Sequence, residues 1–173
     1  MALTIARIIT VLVLILTCLI LIRIVKPSQR EIKCAFTTAL IVAVVDYLFE
    51  FLMGYFKVWV YHFPSFNFLH IPIDLFFCFF FLSFALCIGF TFFLRLEHWV
   101  WKVGYVIVIS LLLSTHAYFK NIQVASKGLI SFIVDTNSIW FMLGNYISIT
   151  FVIAFTVLLY VYLLNLHITD QEC

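Results

Sequence analysis

The chain has 173 residues, 66% of them hydrophobic and 10% charged, with a formal charge of +2 and a mean hydropathy of +1.21. Soluble domains carry roughly 25% charged residues because water must be met by polar surface, so this composition excludes a water-exposed globule and makes lipid the solvent. The lysines and arginines are scattered rather than gathered on one basic face, which excludes nucleic acid as a partner.

An apolar run from Ala2 to Val25, broken only by Arg7 and Arg23, lacks a small-x-small cleavage site and is too long for a signal peptide. It is expected to remain as a first helix. Lys26 to Lys33 forms a polar turn stopped by Pro27, and a second helix is expected over 34–53. Gly54 to Ile71, rich in aromatics and histidine with Pro64 inside it, is too polar to span and too apolar to float free. It is expected to lie in the membrane interface, where tryptophan and tyrosine prefer to sit. Pro72 suits the first turn of a third helix, expected over 72–94, because its missing N–H costs nothing there.

A short charged turn over 95–102 leads into a fourth helix expected over 99–119. In the stretch that follows, the apolar part from Leu129 to Val134 is too short to cross a core of ~30 Å at ~1.5 Å per residue. That stretch is expected to be interfacial or re-entrant. A last helix is expected over 139–168. The fold expected is therefore an all-α integral membrane protein with a single transmembrane domain over 1–173. It is a bundle of about five transmembrane helices, or six if 121–137 spans or re-enters.

Cys18, Cys34, Cys78, Cys87 and Cys173 form no CxxC pair, so neither a zinc site nor a disulfide framework is indicated. No metal and no cofactor is expected. Six basic residues, Arg23, Lys26, Arg30, Lys33, Arg95 and Lys102, fall on one side of the bundle, and four, Arg7, Lys57, Lys120 and Lys127, on the other. By the positive-inside rule the first set is cytoplasmic, which puts the N-terminus outside and the C-terminus inside, in the cell membrane.

The second helix carries Asp46 and Glu50, whose spacing places them on one face about a turn apart. Ala35, Ala39, Ala43 and Gly54 follow the same stripe, and small residues at that spacing let a neighbouring helix approach. The acids are thus expected to face protein, since a charge facing the bilayer centre costs at least ~2.5–3.5 kcal/mol. Trp59, Tyr61, His62, His70, Asp74, His116, Asp135 and Asn137 are expected at the same end of the bundle, with Asn145 two turns deeper. The opposite halves of the helices read as almost purely apolar.

A carboxylic acid in apolar surroundings resists ionisation, so such a pair can hold a proton and donate or relay it. A structural reading stands beside this one. The acids can serve as counter-ions to Arg7 or Lys57, Asp74 can be a helix-start acid, and the histidines can be interface residues.

Asp46, Glu50, Gly54, Trp59 and Tyr61, followed by Ile71-Pro72-Ile73-Asp74-Leu75-Phe76-Phe77, resemble a pattern in the small bacterial and archaeal lycopene cyclases and related carotenoid hydratases. The resemblance spans about thirty residues. It implies acid-initiated chemistry on a polyene, with Asp46, Glu50 and Asp74 as the catalytic carboxylates and no metal. Trp59, Tyr61, His70 and Asn145 are the residues expected to meet the lipidic substrate. Such cyclases have two similar halves and this chain has one, so a homo-oligomer or a membrane partner subunit is expected. Two further classes share the same acids: a proton-coupled transporter component, and a non-catalytic assembly subunit whose partners are other membrane helices.

Overall fold

Among the described residues of the computed structural model, five helices are long and apolar enough to cross a membrane: α1 (Ala2–Val25), α2 (Gln29–Tyr55), α3 (Ile73–Leu94), α4 (Trp99–Ser126) and α5 (Ile139–Thr169). The structure describes residues 2–62, 67–68, 71–128, 130–136 and 138–169, and at 2–7, 61, 67–68, 71 and 167–169 it describes the backbone alone.

Short strands complete the fold. In the α2–α3 connection lie β1 (Trp59–Tyr61), β2 (Asn67–Phe68) and β3 (Ile71–Pro72), and in the α4–α5 connection lies β4 (Ile130–Phe132). β1 pairs antiparallel with β4, with Val60 opposite Ser131, and β2 pairs antiparallel with β3. The two connections are therefore joined at one end of the bundle, called here the strand end. The α1–α2 and α3–α4 turns lie at the other, the basic end.

α3 is the central element and packs against all four other helices, while α4 and α5 form a second close pair. On α2 the stripe of Ala35, Ala39 and Ala43 is fully buried, which permits the close α2–α3 approach that small side chains allow. Gly54 does not belong to that contact, because nothing stands within 4 Å of where its Cβ would be. A different glycine makes the close approach. A Cβ on Gly89 would lie 2.7 Å from the Tyr105 hydroxyl, which donates to the Leu86 carbonyl at 3.1 Å. Only a hydrogen fits there while α4 keeps that bond to α3.

Leu12, Leu16 and Ile24 on α1 are more than half exposed, as are Leu111 and Leu112 on α4. In water such faces would be an association hazard; in lipid they meet their own solvent. Trp99 and Trp101 are exposed at the basic end, and Tyr55 and Trp140 at the strand end, the two belts that aromatic residues form at membrane surfaces.

Several boundaries differ from the sequence expectation. α2 starts at Gln29 rather than Cys34 because Ser28 and Glu31 form a capping box. Glu31 donates its N–H to the Ser28 hydroxyl at 3.2 Å, and the Glu31 carboxylate accepts from the Ser28 N–H at 2.6 Å. Pro72 is the N-cap of α3 rather than its first helical residue; its extended backbone (φ −61°, ψ 122°) closes β3 instead. α4 runs to Ser126, two turns past Phe119. Its polar tail (Lys120, Asn121, Gln123) suits a helix end that has left the hydrocarbon, where water can meet these side chains. In agreement with the expectation of about five spans, 121–137 adds no sixth span among the described residues. It completes α4 and then enters β4, whose backbone is satisfied by β1 and by the Ile133 N–H donating to the Val58 carbonyl at 2.8 Å.

Candidate functional site

The α2 helix sets Asp46 and Glu50 one turn apart, each partly buried and near enough for their charges to act on each other. The lipid-facing positions beside them, Val45, Leu48 and Phe49, are apolar and exposed, so both acids stand in an apolar layer. Tyr47, buried on the protein side, lies within Coulombic reach of Asp74 in the first turn of α3. The three carboxylates thus occur on the two helices whose packing is closest.

Glu50 has a defined partner. The Trp59 indole Nε1–H donates to its Oε2 at 2.7 Å, tying β1 to α2. From Trp59 an aromatic path crosses the ladder. Its ring meets Phe49 at 6.1 Å and Phe132 at 6.4 Å, and Phe132 meets Phe141 edge-on at 4.9 Å. A second link closes the same end, between the His62 Nε2 and the Ser131 hydroxyl at 2.7 Å. Glu50 is therefore tied to a cover built by β1 and β4, with Asp46 one helical turn away on α2.

The remaining expected residues are placed less centrally. Tyr61 lies in β1 opposite Ile130, with its backbone alone described. His70 and Asn137 lie outside the described residues, as does the side chain of Arg7. Asn145 is committed elsewhere. It accepts from the Asn121 amide at 2.8 Å and donates to the Phe141 carbonyl at 2.9 Å, which locks α4 to α5. His116 and Asp135 are exposed. Among the described residues, no group of three or more His, Cys, Asp or Glu side chains is placed to hold a metal ion.

The basic end is more polar than the sequence suggested. Arg95 donates through Nη1 to the Val25 carbonyl at 2.8 Å and through Nη2 to the Lys26 carbonyl at 3.4 Å, capping α1. It also pairs with the Glu31 carboxylate at 3.1 Å. Arg30 donates to the Leu164 carbonyl of α5. In the buried layer above them the Tyr160 and Thr91 hydroxyls bond each other at 2.7 Å. The Ser28-x-x-Glu31 spacing was the signal available in the sequence for the first part of this network. Lone hydroxyls such as Thr91 and Tyr160 carried none.

Comparison of the chain with protein-family models, with curated proteins and with solved structures finds no match. The class defined by the fold is that of a polytopic α-helical membrane protein.

Proposed function

We propose that this membrane protein carries out acid–base chemistry on a lipid-soluble, isoprenoid-class substrate at the strand end. The observation that carries the reading is the pair of partly buried carboxylates one turn apart, one of them held by an indole donor beneath the β1–β4 cover. Asp46 is the acid, Glu50 its positioning partner, and Asp74 the carboxylate that stabilises or accepts. Protonation of a terminal C=C by Asp46 leaves a tertiary cation. Attack by a second double bond and loss of a proton to a carboxylate close a ring, a net isomerisation. Addition of water instead gives a hydrated product. Aromatic faces such as Trp59 favour the cation by their ring electrostatics.

Cells lacking the gene should accumulate the unmodified polyene, and Asp46→Asn supplied in trans should restore less than about one hundredth of the turnover, since a positioned acid contributes about 10²–10⁴-fold. Unchanged isoprenoid profiles in the deletion strain would sink the reading. The Trp59–Glu50 bond favours a second reading, in which the acids hold an assembly subunit together. In that case Asp46→Asn and Glu50→Gln lower protein abundance before they lower any activity.

We further infer that the basic end is cytoplasmic, from the bias of Lys and Arg toward it. An impermeant maleimide should label Lys127→Cys in intact cells and Glu97→Cys only after permeabilisation; the reverse pattern inverts the topology.

A further inference from the structure

We propose that the cleft between α4 and α5 near the basic end holds an acyl chain of an anionic phospholipid, with Lys102 meeting its phosphate. The cleft has a volume of about 300 Å³, with Phe90 of α3 as its floor, Val106 on the α4 side and Ala154, Val157 and Leu158 on the α5 side. Among the described residues, Lys102 is the one charged side chain in its lining.

Three observations identify the occupant. The first is the order of polarity along the cleft. Lys102 is one turn from the start of α4, beside the exposed Trp99 and Trp101 that mark headgroup depth, whereas Ala154 and Val106 lie deeper, at acyl depth. A cation at headgroup depth above apolar walls has the polarity of one anionic amphiphile, oriented as it stands in the leaflet.

The second is that Lys102 has no hydrogen-bond or ion-pair partner among the described residues, unlike Arg95 and Arg30 at the same end. The third is that no local helix requirement explains it, because a cation in the first turn opposes the helix dipole. A wider groove of about 480 Å³, floored by α3 between α1 and α4, has no charged lining residue among the described residues, so nothing comparable identifies what fills it.

The site lies at the opposite end from the acids and does not rest on the acid–base reading. Its test is native mass spectrometry of the detergent-purified protein titrated with phosphatidylglycerol and phosphatidylcholine of identical chains. Wild type should retain phosphatidylglycerol about fivefold better, the factor that one lysine near a charged surface contributes. That preference should fall as ionic strength rises.

Lys102→Gln should bring the two lipids level, and Lys102→Arg, which keeps the cation, should preserve the preference. Ala154→Phe, which fills the cleft, should reduce retention of both lipids. Equal retention by wild type, a preference unmoved by Lys102→Gln, or binding unaffected by Ala154→Phe would each overturn the proposal. Displacement of phosphatidylglycerol by inorganic phosphate alone would overturn it too, by showing an anion site with no chain in the cleft.

Discussion

Trp59→Phe should raise the hydrogen-exchange rate of the Ile133 amide about 10- to 100-fold. The substitution keeps an aromatic ring against Phe49 and Phe132 but deletes the donor that ties β1 to Glu50. A hydrogen bond to a charged group is worth about 1.5–3 kcal/mol, and about 1.4 kcal/mol is tenfold in an opening equilibrium. The Ile133 N–H reports on this opening because it donates to the Val58 carbonyl, immediately before β1.

Two Glu50 variants refine the expectation. Glu50→Ala should raise the rate at least as much as Trp59→Phe, and adding Trp59→Phe to it should raise the rate little further, because both remove the same bond. Glu50→Gln keeps an acceptor without the charge and should show about half the effect, since charge-assisted bonds are roughly twice as strong. A Gln variant indistinguishable from wild type would mean that the negative charge of Glu50 adds nothing to this bond. If Ile133 exchanges at the wild-type rate in all four variants, the cover is not held by Glu50 and the site loses its positioning element.

Arg95→Ala should lower the midpoint of thermal unfolding in detergent by about 3–10 °C, from a loss of about 1–3 kcal/mol. The guanidinium joins three elements: the last carbonyls of α1, the Glu31 carboxylate that also closes the α2 capping box, and α3 itself. The ion-pair share is discounted, because the Arg95 side chain is 46% exposed and such pairs are weak in water. The α1 cap carries most of the effect, since the orphaned carbonyl of Val25 would remain part-buried. Arg95→Lys should recover less than half, because one ammonium cannot reach both the carbonyls and the carboxylate as the planar fork does. A midpoint within 1 °C of wild type for Arg95→Ala would show that α1 is held by apolar packing alone.

The five spans were legible because a run of apolar residues of membrane length has few other readings, and α1 ends where the sequence places it, at Val25. Boundaries went wrong where polarity stood in for structure. Arg30, Glu31 and Lys33 looked like a turn, yet they form the first turn and a half of α2, which begins in the headgroup layer. The fourth helix was expected to stop at Phe119 for the same reason, yet Lys120 to Gln123 continue it.

The β1–β4 ladder left no local trace. Its strands are three residues long and about seventy residues apart, so neither shows a periodicity, and their pairing depends on the helices that bring them together. The same division holds for the candidate site. The Asp46–Glu50 face follows from helical spacing alone, whereas the Trp59–Glu50 bond exists only once β1 folds back over α2. Asn145 was placed by depth with the acids, but its amide is taken up by Asn121 on the neighbouring helix.

α3 touches every other helix, yet between Asp74 in its first turn and Arg95 at its C-cap it carries no charged residue. That interval of 21 residues is about 31 Å of helix. Dispersion and close packing transmit no preference for one charge state over another, so the two ends of the protein are energetically separate compartments on one spine. Lesions at the two ends should therefore sum. Trp59→Phe and Arg95→Ala in one chain should cost what they cost singly, to within about 0.5 kcal/mol, the tolerance seen for sites without shared partners. Evolution can then retune the acidic end without renegotiating the basic one.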